Sequence, residues 1–168
     1  MQQSIRRALT LAAIAAAGLA APALAGPPWI SIELPANPYD ASTRGAFLLV
    51  HAFHHGTPVG FPITGTAEGI VNGERRTVRL EFTKTSRDGV YGLRKMWPED
   101  GTWTLVISVS QGHNDGATAV VELDGNGNVV AVKVPTRQQG QWTVPAAVSM
   151  ADIDAGLRAR AGGLARRN

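Results

Sequence analysis

Short runs of alternating apolar and polar residues, cut apart by turn-forming pairs, fill the chain from Trp29 to Thr136 and constrain its fold more than any other feature. A period of two sends successive side chains to opposite faces of an extended chain, so such runs read as half-buried β-strands. In Thr102–Gln111 the residues Trp103, Leu105, Ile107 and Val109 share one face. Ala117, Ala119, Val121 and Leu123 repeat the pattern, as do Val78, Leu80 and Phe82. The expected strands are Trp29–Leu34, Ala46–His54, Thr64–Val71, Glu74–Thr85, Gly89–Trp97, Thr102–Gln111, Ala117–Leu123 and Val129–Val134. Phe47 to Phe53 is apolar on both faces as far as His51, the pattern of a central strand covered on both sides.

The connections carry their own geometry. Asn72-Gly73 is a two-residue hairpin signal, because a type I′ turn needs positive φ at both central positions. Asp124-Gly125-Asn126-Gly127-Asn128 reads as a second hairpin with a longer loop, and Pro98-Glu99-Asp100-Gly101 as a third turn, between Trp97 and Thr102. Three local hairpins argue against a parallel sheet. The expected fold class is therefore all-β: an immunoglobulin-like antiparallel β-sandwich of about seven or eight strands with a short C-terminal α-helix.

Residues 1–25 carry the three parts of an export signal: Arg6 and Arg7, the apolar run Ala8 to Ala20, and the small-x-small site Ala23-Leu24-Ala25. The run stops at Pro22, short of the ~20 apolar residues that a membrane span needs. Cleavage is expected, giving a mature chain from Gly26 in the periplasm or outside the cell. The pair Arg6-Arg7 fits a twin-arginine signal as well as an ordinary one. Without that pair, 16 basic residues become 14 against 13 acidic ones, so a formal charge of +3 falls to +1. That balance gives no argument for nucleic acid as a partner. The chain has no cysteine, which removes disulfides, thiolate metal sites and cysteine nucleophiles.

The expected organisation is a signal at 1–25, a sandwich at 26–136, a linker at 137–148 and a helix with a basic tail at 149–168. Ser149 is placed to cap the helix, with Asp152 three residues on. Met150, Ile153, Leu157, Ala161 and Leu164 form one apolar stripe, and Gly162-Gly163 is expected to fray or end the helix. The stripe is expected to pack on the chain's own sandwich. The alternative is a docking helix with Arg158, Arg160, Arg166 and Arg167 on its wet side.

Three of the four histidines are crowded into His51-Ala52-Phe53-His54-His55. Imidazoles are the natural copper or zinc ligands of an exported chain without cysteine. On a regular strand, however, His51 and His55 stand ~13 Å apart and His54 and His55 face opposite ways. A bend at Phe53 would gather His54 and His55, with His51, His113 or Met96 completing a metal site. The alternative is that these side chains are boundary and turn residues and no cofactor is held.

Other chemistry finds no support. The loop at Asp124 begins like a calcium loop, but Val129 stands where the sixth-position glycine belongs and Pro135 where the twelfth-position glutamate belongs. There is no Gly-x-Ser-x-Gly elbow and no His-Glu-x-x-His helix. Trp97 and Trp103 read as core, leaving Trp142 as the expected surface aromatic. An enzyme is not expected.

Gly89-Val90-Tyr91-Gly92-Leu93, then Trp97 and Gly101-Thr102-Trp103-Thr104-Leu105-Val106-Ile107, together with Gly56-Thr57-Pro58-Val59, resemble the pattern of exported YtkA-like and FixH-like immunoglobulin-fold domains. The resemblance covers about half of the mature chain and implies a sandwich. In it Tyr91 buries its ring and bonds backbone through its hydroxyl, and Trp103 anchors the facing sheet. It also implies a setting near copper handling, although FixH-like proteins keep a membrane anchor where this chain has a cleavable signal. The expected function is an exported, non-catalytic immunoglobulin-like domain that binds a protein or envelope component. The alternative is a periplasmic copper- or zinc-binding protein.

Overall fold

The computed structural model describes residues 26–112 and 115–165, with side chains through residue 163. The export signal at 1–25, together with His113, Arg166 and Arg167, lies outside the described residues, as does the side chain of Leu164.

Two antiparallel sheets face each other across one core. The first runs β1 (Trp29–Glu33), β2 (Leu48–His54), β7 (Val90–Leu93) and β6 (Phe82–Lys84), with β3 (Thr57–Pro58) paired to the end of β2. The second runs β10 (Val129–Lys133), β9 (Gly116–Leu123), β8 (Thr102–Ser110), β4 (Ile63–Val71) and β5 (Glu74–Arg79). Leaving aside the added strands β3 and β10, this is the A-B-E-D sheet of an immunoglobulin sandwich facing its G-F-C-C′ sheet. The fold class is thus an all-β sandwich with one C-terminal helix, α1 (Met150–Ala165).

Alternation explains which residues meet. Trp103, Leu105, Ile107 and Val109 of β8 pack beside Ala117, Ala119, Val121 and Leu123 of β9 and against Ile30, Leu48, Val50 and Ala52 of the first sheet. Leu48, Leu49 and Val50 are all fully buried, so β2 is covered on both sides as its composition requires. Tyr91 is half-buried, and its hydroxyl donates to the Phe61 carbonyl at 3.3 Å.

Three connections differ from expectation. Glu74–Thr85 is two strands, β5 and β6, in different sheets, because the chain crosses at Leu80-Glu81. Its alternation runs unbroken across that switch, since Val78, Leu80 and Phe82 point into one shared core from either sheet. The Pro98–Gly101 segment is likewise a crossover from β7 to β8 rather than a hairpin. Within 137–148, expected as a linker, β11 (Thr136–Gln139) and β12 (Trp142–Pro145) form a two-stranded ribbon. Polar side chains hid this ribbon, which pairs with neither large sheet but packs beside β9.

The Asn72-Gly73 turn has φ of 51° and 83°, as the type I′ geometry demands. At the other hairpin, Asp124 Oδ1 accepts from the backbone N–H of Asn126 at 2.9 Å and of Asn128 at 2.8 Å. These bonds, first that from Asn128, hold the Asp124 carboxyl below its usual range. The aspartate is a turn-former whose lone pairs face its own loop.

Candidate functional site

The outer face of the second sheet is divided in two. Over one half lies α1, whose Ile153 and Leu157 are buried with Val120 against Ile70 and Val106. Ser149 caps it, its Oγ accepting from the Ala151 N–H at 3.2 Å. The helix continues through Gly162-Gly163 to Ala165, past the expected end. Met150, assigned to the apolar stripe, is the first residue of α1 and is 49% exposed.

Ion pairs fasten both edges of the helix. Arg75 of β5 reaches Asp154 at 2.8 Å and also Glu68, a buried carboxylate that accepts from Thr77 Oγ1 at 2.7 Å. At the opposite edge Arg160 pairs with Glu122 at 3.3 Å and donates to Thr104 Oγ1, while Lys133 meets Glu122 at 2.7 Å. Burial lowers the Arg160 pKa, opposed by the Glu122 carboxylate. Arg160 therefore belongs to the interface and not to the wet side, where Arg158 stands exposed.

The other half of the face is open. A groove of about 600 Å³ is lined by Thr64, Thr66, Thr77, Arg79 and Ser108 among others. It meets a second groove of about 350 Å³, at Ser108, that includes Ser110, Thr118, Asp115 and Arg137. The hydroxyls align because register sets Thr64 opposite Ser108 and Ser108 opposite Thr118, so all three share the outer face. Ser108 Oγ and Thr118 Oγ1 are 2.8 Å apart. Arg79 and Arg137, at the two ends, form no ion pair among the described residues.

The histidines separate into two groups. His51 lies on the outer face of the first sheet, where Nε2 is 2.7 Å from Glu33 Oε2 and the ring stacks on Phe53. Arg87 also reaches Glu33, at 3.0 Å, and this bond holds the Glu33 carboxyl below its usual range, with His51 adding to the effect. His54 and His55 lie at the strand end, with ring centroids 4.3 Å apart. The bend falls at His55-Gly56 instead of Phe53: φ values of 51° and 77° make these two residues the centre of a hairpin turn between β2 and β3. A left-handed residue breaks the strand alternation, which is why adjacent imidazoles meet. His54 Nε2 is also 2.8 Å from the Gly26 carbonyl oxygen.

Met96 does not join them. It follows Leu93, which pairs with Leu48, six residues and ~20 Å along β2 from His54. There Met96 Sδ accepts from the Glu81 N–H at 3.2 Å. No three His, Asp or Glu side chains gather as a ligand set among the described residues. Trp97 and Trp103 are core, while Trp142 is 66% and Trp29 38% exposed. The hydroxyl groove had a legible signal in the outward Thr and Ser of Thr102–Gln111; the partition of the face by the helix had none.

Comparison of the chain with models of protein families, with curated proteins and with solved structures finds no match.

Proposed function

We propose that this chain is an exported, non-catalytic recognition domain of the cell envelope, and that the open half of its second sheet is the contact surface. The observation behind this reading is the row of outward hydroxyls bounded by Arg79 and Arg137. Hydroxyls donate hydrogen bonds and free guanidiniums hold carboxylates in a fork geometry. The partner that fits is an extended, carboxylate-bearing segment of an envelope protein, lying across β5, β4, β8 and β9. Four strands span roughly 14 Å, about the length of four extended residues. Asp115, on the rim near Arg137, orients that end by repelling a misplaced carboxylate. The helix is not the contact element in this reading, because its apolar stripe is already covered.

Fluorescence anisotropy with a labelled glutamate-rich peptide tests the proposal. Saturable binding that weakens with salt is expected, falling about tenfold when Arg79→Gln and Arg137→Gln are combined. Equal binding by the double variant, or no saturable binding at all, would overturn the assignment.

A further inference from the structure

A second place in the fold brings ligating atoms together independently of the groove. We infer that export processing completes a copper(II) site at Gly26, His54 and His55. Among the described residues no third His, Asp or Glu side chain gathers with these two imidazoles, and the main chain beside them offers donors of its own. Gly26 is positioned to give them.

His54 Nε2 stands 2.8 Å from the Gly26 carbonyl oxygen. Two donors bound at right angles to one ion, each ~2.0 Å from it, are themselves ~2.8 Å apart. The contact that serves as a hydrogen bond without metal also has the length of one edge of a square around a bound ion, and turning the Nε2 lone pair from the carbonyl oxygen toward the ion would make it that edge. Two imidazoles on adjacent corners of that square have centroids ~4.4 Å apart by the same bond lengths, and those of His54 and His55 are 4.3 Å apart.

Cleavage after Ala25 turns the Gly26 nitrogen from an amide into a primary amine. An amine and the carbonyl oxygen of one glycine close a five-membered chelate. Pro27 decides which atoms are used: it has no N–H, so a metal cannot displace an amide proton there and must take the carbonyl oxygen. The resulting donors are three nitrogens and one oxygen, a tetragonal set that suits copper(II) above zinc in both geometry and affinity. Binding releases the proton that the α-amine carries below its pKa of ~8, and His54 binds through Nε2 with its proton on Nδ1. Pro28 is buried and Trp29 begins β1, so the terminus is held in place before metal arrives.

The test uses protein exported from the full chain, its first residue fixed by intact mass. Copper(II) titration followed by calorimetry and electron paramagnetic resonance is expected to show one site with three nitrogen donors. A second form carrying Ser-Pro ahead of Gly26 turns the Gly26 amine back into an amide and moves the free amine two residues away, where the added proline gives copper no neighbouring amide proton to displace. Its affinity should fall at least ~100-fold, given that outer-shell partners alone change metal affinity ~10–100-fold. His54→Ala should do the same and His51→Ala should not. A mature chain that starts elsewhere, or equal affinity in the extended form, would overturn the inference.

Discussion

The indole of Trp103 lies across Gly69, its cross-strand partner, so closely that a Cβ at Gly69 would stand 2.6 Å from Cζ3 of the ring. The largest of the fully buried side chains is accommodated because β4 has none at that position. Trp103 Nε1 donates to the Asp100 carbonyl at 2.8 Å, which fixes the ring over the glycine.

Gly69→Ala should therefore destabilise the sandwich by about 1–3 kcal/mol, the range for overpacking a filled core. Gly73→Ala, where φ is 83° but nothing lies within 4 Å, should cost about 1 kcal/mol through backbone strain alone. Urea denaturation of the two variants measures the difference.

The helix is a structural part of the domain. Leu157→Ala should cost about 2–4 kcal/mol, because Leu157 is fully buried against Val120. Thermal melting checks this; an unchanged midpoint would mean that α1 is detachable.

Arg75 neutralises a carboxylate that cannot reach water. Glu68 is 4% exposed, and Arg75→Ala leaves it with Thr77 alone, so a loss of about 2 kcal/mol is expected, below the ~3–5 kcal/mol for a fully buried pair because Arg75 is partly exposed. Arg75→Lys should recover part of it. Chemical denaturation at neutral pH reads both.

Glu33 links stability to pH. Its folded-state pKa lies below the ordinary value, chiefly through Arg87, so its contribution is present above the unfolded pKa of ~4.3 and is lost as pH falls through the folded value. The stability of Glu33→Gln should accordingly depend less on pH below ~4.3 than that of the parent. Denaturation midpoints between pH 3 and pH 7 provide the measurement, and parallel curves would contradict the assignment.

How much of this was legible depended on how local the cause was. Asn72-Gly73 announces its turn because both φ values are set by the two residues themselves. His55-Gly56 makes the same turn, yet histidine is no turn signal, and its left-handed conformation is imposed by the pairing of β2 with β3. Val78, Leu80 and Phe82 announced a buried face but not the change of sheet, because both sheets line the same core. The approach of His54 to Gly26 spans 28 positions and left no trace in spacing. Ser108 falls on the polar face of its strand's alternation, and only register showed that Thr64 and Thr118 stand beside it in one row.

Amide chemical-shift mapping with the glutamate-rich peptide asks whether the hydroxyl row is the contact surface. Titration should move the resonances of Thr64, Thr66, Ser108 and Thr118 while leaving those of α1 in place. Shifts confined to α1 or to the β10 edge, with the hydroxyl row silent, would contradict that assignment.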